Sequence, residues 1–417
     1  MLEYVASGLS AARTNHSFMN AYDENKAYFK EWFDYIRNNS EVKLSGLYNA
    51  YSEANYAEMF KKFKIYDDFH MMYADSGGLQ IITRGDKIDD NLKDQIYRNQ
   101  AAHAHFGMCF DEIPLQVLGE RSAIGDMDSR LFDRDNLEDY AKATGKNIKR
   151  QIEVYKENNS LCKPCVIVHG NDYDSYMRWS EALLSEIPEE FKSELTSVAI
   201  SSACIGVAET ETEIFRNFVI KHLPFEYCNH SHLLGVGAIR RLLSCLIFYQ
   251  NGYYEPDFRL SFDSTTHTKI SLTGQYYTSS GSVKLTKDYN PAYDMLYNEV
   301  AKTVPFKYSI KEFYDGLTNP VIAWHEKTND PHLVVQAVQA LTWQSVFNFL
   351  KQLETYLHSK EKLLKSINRD TTLFESLYEV KTLDDYWHWK NNTSIFFKRK
   401  NRRILEEPKN TLDDLFS

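Results

Sequence analysis

Short apolar segments alternate with longer amphipathic stretches along the first two thirds of the chain. An apolar run of strand length followed by an amphipathic stretch is typical of a βα unit, and repeated βα units predict a parallel sheet. Eight such apolar segments occur, and eight is the number of strands that a closed parallel barrel needs. They end near Ser7, Tyr48, Asp75, Asp111, His169, Ser202, Leu234 and Asp263.

The stretches between these strands predict helices. We therefore predict an α/β fold, a TIM (β/α)8 barrel over residues 1–272. The predicted helices are Glu24–Ile36, Asn91–His103, Leu137–Glu157, Tyr173–Leu184, Glu211–Lys221 and Ala238–Tyr249.

The pattern changes after Thr273. Gly274–Asp294 is rich in Tyr, Ser, Thr and Gly, which predicts a loop or a hairpin insertion. Leu333–Leu357 has an apolar stripe at helical spacing, which predicts a long helix with one buried face. Residues 273–417 are thus expected to form an insertion and a C-terminal, mainly helical subdomain packed on the barrel.

Length and charge set limits on the function. The chain has 417 residues and is 43% hydrophobic, so a barrel of roughly 250 residues leaves about 150 for the appendage. The formal charge of −10 argues mildly against a nucleic-acid substrate, although phosphates contact a local groove and not the chain average. No secretory signal or membrane-length apolar run is recognisable, and six cysteines do not suggest a disulfide framework. A reduced, cytoplasmic setting without membrane contact is expected.

Polar residues cluster at the predicted strand ends. The carboxyl ends of the strands form the catalytic face of a TIM barrel, whereas random placement would scatter such residues over both ends. This clustering favours an enzyme. The residues concerned are Asp75, Asp111, His169, Ser201, Ser202, His232 and Asp263.

The segment Tyr73–Gln80 (YADSGGLQ) places Asp75, Ser76, Gly77 and Gly78 where a strand turns over the barrel mouth. Glycines at such a turn let backbone amides approach a planar ligand closely. An ordinary Asp-Ser-Gly-Gly turn is the alternative.

Two further carboxylates follow apolar strands. In Phe110–Pro114 (FDEIP), alternation lets only one of Asp111 and Glu112 point into the mouth, where a carboxylate can accept hydrogen bonds from the N1–H and amine of a guanine. The alternative is a solvated loop. In Phe262–Thr266 (FDSTT), Asp263 can attack an anomeric carbon and hold the sugar covalently, with a helix cap or turn as the alternative.

The segment His232–Arg241 (HLLGVGAIRR) predicts a strand, a glycine turn and the start of a helix. The N-terminus of such a helix can bind a phosphate, and Arg240 and Arg241 can contribute to that binding. Close helix–sheet packing explains its glycines equally well. A single CxxC at Cys162–Cys165 lacks the second pair of a zinc ribbon, and alternation along a strand explains the cluster of Cys228, His230 and His232. No metal is assigned.

Six short motifs occur in one order: DSGGLQ, FDEIP, VIVHGN, AISSACIG, HLLGVG and FDST. In this order and at barrel-like spacing, they resemble the tRNA-guanine transglycosylase superfamily over roughly residues 71–268. The resemblance implies that Asp263 is the nucleophile that attacks the ribosyl C1′ and expels guanine. It also implies that Asp75 is the general acid/base and that Asp111 reads the guanine edge.

The resemblance assigns further contacts to the base. His169 stands where the family commonly has Gln, and Ala203 and Cys204 stand where backbone groups face the base. Leu79 and Leu234, the latter followed by Gly235, stand where an aromatic residue and a methionine often sandwich the ring. The implied cycle is ping-pong: guanine leaves, and a 7-deazaguanine such as preQ0 or preQ1 takes its place.

The departures from the family are also informative. The zinc-binding CxCxxC cluster of the tRNA enzymes has no counterpart after Cys245, so we expect no zinc and no other cofactor. Ser264–Thr268 replaces a Pro-Thr-Arg stretch that contacts the anticodon, and it contains no arginine. The chain therefore resembles most the DNA-modifying branch of the superfamily, found in phages and some bacteria, and a phage protein would act in the host cytoplasm.

An enzyme that modifies DNA needs a basic, aromatic rim for an extruded or unpaired base. The C-terminal segment around Trp387 and Trp389 is a candidate, with an ordinary packed terminus as the alternative. The residues predicted to contact nucleic acid are Arg240, Arg241, His267, Lys398, Arg399 and Arg402.

The leading hypothesis is a DNA-guanine transglycosylase that inserts a 7-deazaguanine base. A divergent tRNA-guanine transglycosylase and, less favoured, a non-catalytic partner subunit are the alternatives. A non-catalytic partner subunit would have lost the catalytic acids, whereas Asp75, Asp111 and Asp263 are all present.

Overall fold

A computed structural model describes about two thirds of the chain. For some of these residues, including 394–404, it describes the backbone without the side chain. The described residues are 1–7, 34, 36–52, 69–78, 81, 88–114, 132–201, 210–269, 275–278, 281–284, 345–367 and 371–404.

Eight parallel strands close into a barrel in their sequence order, and β8 pairs with β1 to complete the ring. The predicted TIM barrel is therefore confirmed, with every predicted strand present. Two strands end earlier than predicted, because the polar residues near Asp111 and Ser202 lie beyond the last ladder pairs. The strands are β1 Leu2–Ala6, β2 Lys43–Asn49, β3 Met72–Asp75, β4 Phe106–Met108, β5 Lys163–Val168, β6 Ser197–Ile200, β7 His230–Leu233 and β8 Arg259–Ser264.

Helices follow the strands, as predicted. Two of them, Leu137–Glu157 and Tyr173–Leu184, have the predicted bounds, and the second begins with a capping box between Asp172 and Ser175. Of the predicted helix Glu24–Ile36, only residues 34 and 36 are described, and both are helical. The barrel helices are α1 Asp90–His103, α2 Leu137–Glu157, α3 Tyr173–Leu184, α4 Glu189–Lys192, α5 Thr210–Val219, α6 Ile239–Gln250 and α7 Thr266–Lys269, with a 3-10 turn at Ile220–His222.

The C-terminal part adds a hairpin and several helices. Within the predicted loop or hairpin segment Gly274–Asp294, β9 Gln275–Thr278 and β10 Gly281–Lys284 form an antiparallel hairpin, and the other residues lie outside the described part. The described part of the predicted helix Leu333–Leu357 is helical, and residues 333–344 lie outside the described residues. The helices are α8 345–357, α9 Lys360–Lys365, α10 Thr371–Ser376 and α11 Leu383–Ile404, with a 3-10 turn at Leu377–Glu379.

Side-chain amides from the barrel fix the C-terminal helices to it. Gln250 Nε2, at the end of α6, donates to the carbonyls of Tyr356 at 2.5 Å and Leu357 at 3.2 Å. Asn251 Nδ2 donates to three carbonyls around the turn that follows α10, including that of Val380 at 3.2 Å. The predicted helical appendage is confirmed, and these hydrogen bonds join its described helices to α6 of the barrel. No helix in the described parts of the chain is long and apolar enough to cross a membrane.

A charged cluster occupies the amino-terminal end of the barrel interior. The Glu3 carboxylate is fully buried and accepts hydrogen bonds from Ser45 Oγ, from the Tyr73 hydroxyl at 3.1 Å and from Arg259 Nη2 at 2.8 Å. A buried carboxylate is tolerated only when it is paired and hydrogen-bonded in this way. Glu3 therefore ties β1 to β2, β3 and β8.

We predict that Arg259→Met lowers the free energy of unfolding by about 3–5 kcal/mol, because Glu3 remains as a buried charge without its cation. The double variant Glu3→Gln/Arg259→Met should recover part of this loss, since neither charge then remains. Lys365→Met, which breaks a pair exposed by 74% on each side, is the control and should cost less than about 1 kcal/mol. Urea unfolding measures the free energy of unfolding of all three variants. A double variant that is less stable than Arg259→Met contradicts the account.

Candidate active site

Five of the predicted strand-end residues lie at one mouth of the barrel, and Ser202 lies outside the described residues. Asp75 ends β3, Asp263 lies near the end of β8, and Asp111, His169 and Ser201 follow β4, β5 and β6. Because the strands are parallel and the barrel is closed, all their carboxyl ends open on the same side. The structure thus brings these residues to a common face.

The Asp263 carboxylate is held through one of its two oxygens. Oδ1 accepts a hydrogen bond from the backbone N–H of Gly235 at 2.7 Å, and His232 Nε2 lies 3.3 Å from the same atom. Within the part of the chain that the structure describes, no hydrogen bond reaches Oδ2. The side chain is 14% exposed, so it lies at the boundary between the interior and the mouth. A carboxylate held in this way can present Oδ2 to a ligand.

The glycine turn after β7 positions this carboxylate. Gly235 has φ +67°, a conformation that side chains with a Cβ rarely adopt, and its carbonyl accepts from Arg241 Nη1 at 3.0 Å. A Cβ on Gly237 would lie 1.9 Å from Ser264 Oγ, next to Asp263. The positive φ accounts for Gly235, and close packing against β8 accounts for Gly237. Arg240 is exposed beside this turn and Arg241 is half-buried, so their contact with nucleic acid stays a prediction.

Asp111 and His169 form a buried pair across β4 and β5. His169 Nε2 lies 2.6 Å from Asp111 Oδ2, and the fully buried imidazole packs edge-on against Trp179. With an ionised carboxylate, Nε2 must carry the proton of this hydrogen bond. The pair offers adjacent hydrogen-bonding groups on a rigid support, which can read the edge of a planar base.

The neighbouring carboxylate points the other way. Glu112 Oε1 lies 3.4 Å from Lys93 Nζ on α1, and its backbone N–H donates to Thr144 Oγ1 on α2 at 3.0 Å. The prediction that only one carboxylate of the FDE motif enters the mouth is confirmed.

The loop after Asp75 depends on Gly77. This residue has φ +76°, and a Cβ on it would lie 2.7 Å from Tyr51 Cβ and 2.8 Å from Asn49 Oδ1. Ser76 is 1% exposed and its Oγ accepts from the Gly78 N–H at 3.4 Å. The turn is therefore built against β2 and not merely solvated. Leu79, Ala203 and Cys204 lie outside the described residues.

The prediction that His267 contacts nucleic acid is wrong. The residue is 1% exposed, its ring stacks on Phe349 of α8 at 3.8 Å, and Nδ1 lies 3.2 Å from the Tyr4 hydroxyl. Burial lowers the pKa of His267 to about 3, so the ring is neutral at pH 7. The appendage covers a position that the sequence places in an open loop.

The predicted C-terminal rim is described only in part. Lys398, Arg399 and Arg402 belong to α11, but their side chains lie outside the described residues. Trp389 is 5% exposed and donates its Nε1–H to Ser376 Oγ at 2.8 Å, so it packs inside the appendage. For Trp389 the packed-terminus alternative is correct. Trp387 is half-buried.

The described cysteines and histidines of the barrel form no metal centre. Burial raises the pKa of Cys162 and of Cys165 to about 12, which keeps both thiols protonated. Among the described residues, no group of three or more His, Cys, Asp or Glu side chains is placed to hold a metal ion. The absence of zinc from the whole protein stays a prediction.

The alternation of His230 and His232 is evident in the sequence, but the hydrogen-bonded polar column that they form below the mouth was not predicted. The column links Ser197, His230, Ser261 and His232 by contacts of 2.7 Å, and His232 then faces Asp263. A signal was present, since polar residues alternate at positions 230 and 232 and at 259, 261 and 263.

Comparison of the chain with models of known protein families and with curated proteins finds no match. Functional inference therefore rests on the site geometry and the order of the sequence motifs.

Gly77 and Gly252 provide a matched pair for the DSGG turn. Both have φ near +75°, but a Cβ on Gly252 meets nothing within 4 Å. We predict that Gly252→Ala costs about 1–2 kcal/mol from backbone strain alone, and that Gly77→Ala costs more because its methyl group also strikes Tyr51. Thermal and urea unfolding compare the two variants. Equal destabilisation contradicts the tight packing of the turn on β2.

Proposed function

We propose that the protein is a base-exchange transglycosylase that replaces guanine in DNA with a 7-deazaguanine, preQ0-like base. The observation that carries this proposal is the Asp263 carboxylate, whose Oδ1 is bound by Gly235 N–H on the catalytic face of the barrel. The Asp111–His169 pair and Asp75 occupy the same face.

Asp263 has the features of a covalent nucleophile. In the first step Oδ2 forms a bond to C1′ of the target nucleotide, and the C1′–N9 bond breaks with its electron pair on guanine. In the second step the nitrogen of the incoming base forms the new bond to C1′ and the ester bond to Oδ2 breaks. Two displacements at one carbon retain its configuration, as in glycosidases that use a carboxylate nucleophile. Both steps are displacements at C1′ with no change of oxidation state, so they need no oxidant or reductant.

Asp75 and Asp111 supply the remaining roles that the family resemblance implies. Asp75, at the end of β3, donates a proton to the departing base and accepts one from the incoming base. Asp111 accepts hydrogen bonds from the N1–H and amine of guanine, which a 7-deazaguanine retains. His169 Nε2 lies 2.6 Å from Asp111 Oδ2 and holds the carboxylate in place, which limits the orientations in which the base can bind.

The choice of DNA over tRNA is supported by sequence features. The segment after Asp263 has no arginine of the anticodon-contacting kind, and no cysteine follows Cys245. A duplex substrate requires extrusion of the target base, and the exposed Arg240 beside the Gly235 turn is suited to a displaced phosphate. The cytoplasm, of the host if the protein is from a phage, is the corresponding setting.

Exchange of radiolabelled guanine or preQ0 into duplex DNA and into bulk tRNA, measured side by side, tests the proposed function. Label should enter DNA, and Asp263→Ala should reduce incorporation to background because no covalent intermediate forms. Label in tRNA alone would support the divergent tRNA enzyme, and no exchange into either polymer would support the partner subunit.

The adjacent carboxylates Asp111 and Glu112 test base recognition. In Asp111→Asn, the amide N–H2 group replaces a carboxylate oxygen and faces the N1–H and amine of guanine, which are donors themselves. We therefore predict a 10- to 100-fold loss in kcat/KM for the base, equivalent to about 1–3 kcal/mol. Glu112→Gln is the control, since Glu112 faces Lys93 outside the mouth. Steady-state kinetics with varied base concentration measure both. Comparable losses in the two variants contradict the assignment of Asp111.

A further inference from the structure

Two histidines of β7 lie inside the barrel beneath the proposed nucleophile. His230 and His232 are both fully buried, and they share Ser261 of β8, whose Oγ lies 2.7 Å from His230 Nε2 and 2.7 Å from His232 Nδ1. His230 Nδ1 lies 2.7 Å from Ser197 Oγ on β6. The column ends at His232 Nε2, 3.3 Å from Asp263 Oδ1.

The number of protons in this column limits its direction. A serine hydroxyl has one proton, so Ser261 Oγ can donate to only one of the two imidazole nitrogens, and the Ser231 carbonyl at 3.4 Å is the alternative acceptor of that proton. If Ser261 donates to His232 Nδ1, it accepts from His230 Nε2–H, and Ser197 donates to His230 Nδ1. A neutral His232 then carries its proton on Nε2 and directs it toward the Asp263 carboxylate.

The opposite direction is unfavourable when Asp263 is ionised. A neutral His232 that donates from Nδ1 to Ser261 would direct a bare Nε2 lone pair at the carboxylate. The neighbouring His230 is held neutral, because burial and the nearby Arg259 and His232 place the pKa of His230 well below its usual value. One-way donation from Ser197 to Asp263 is thus the arrangement that satisfies each ring nitrogen.

Other groups around His232 hold the ring in place. Tyr73 of β3 stacks on His232 with ring centroids 5.4 Å apart, and burial raises the pKa of Tyr73, so the phenol is neutral. Glu3 and Arg259 pair with each other at the other end of Tyr73. In the described part of the chain, Nε2 makes no hydrogen bond and lies 3.3 Å from Asp263 Oδ1, so the proposed contact requires a small shift of Asp263. Catalytic hydrogen bonds often tighten in this way when substrate binds.

We propose that His232 is the residue that positions the nucleophile Asp263. His232 donates from Nε2 to Asp263 Oδ1, which leaves Oδ2 for attack on C1′. This inference rests on the proposed function. Gly235 N–H and His232 Nε2–H together fix Oδ1, which becomes the carbonyl oxygen of the glycosyl ester. The column from Ser197 to Ser261 keeps His232 in the required tautomer.

Two amide substitutions of different length at His232 test the donor. Glutamine places its amide nitrogen near the position of Nε2, whereas asparagine reaches only the position of Nδ1. We predict that His232→Gln retains guanine exchange within about tenfold and that His232→Asn lowers kcat on the order of 100-fold with little change in KM, as for the loss of one catalytic donor. Retained activity in His232→Asn, or equal losses in both variants with unchanged thermal midpoints, overturns the proposal.

A readout that needs no activity separates this proposal from the proposed function. In protein labelled with ¹⁵N-histidine, the ring shifts that disappear in His232→Asn belong to His232 and report its tautomer. The Nε2–H form, shifted by Asp263→Asn, supports the positioning contact, and the Nδ1–H form overturns it. If the wild-type protein shows the Nε2–H form but exchanges guanine into neither DNA nor tRNA, the proposed function fails while the contact stands.

Discussion

The closed parallel barrel directs every second side chain of its strands into one interior that excludes water. Polar groups in such a space must find partners inside it, because an unpaired buried charge or lone pair costs several kcal/mol. This chain places Glu3, Tyr73, His230, Ser261 and Asp263 there. Hydrogen bonds run from Glu3 through Tyr73 and His230 to Ser261, and Asp263 accepts its hydrogen bond from the Gly235 N–H at the mouth.

The same constraint separates structural from chemical roles among similar residues. Asp111 and Glu112 are adjacent in the chain just after β4, yet the first points toward His169 and the second toward Lys93. His232 lies inside the barrel beside Asp263, whereas His267 lies outside the barrel wall against Phe349. Sequence position alone does not distinguish them; the face of the strand and the element that covers it do.

Most of the fold was predictable, because hydrophobic period and strand-end polarity are local signals. The bounds of α2 and α3 were obtained to the residue, and the eight strands were found in order. The pairs His169–Asp111 and His232–Asp263 depend on strand register, which the sequence pattern does not give. His267 was misassigned because α8, which buries it, lies about eighty residues further along the chain.

The central claim is that Asp263 forms a covalent bond to the deoxyribose of a target nucleotide. Denaturing mass spectrometry of the protein, mixed with guanine-containing duplex DNA and quenched before any incoming base is added, tests it directly. The account predicts a protein–DNA adduct whose digest carries the sugar on the β8 peptide at Asp263, and no adduct in Asp263→Asn. An adduct at another residue, or an adduct that survives in Asp263→Asn, contradicts it.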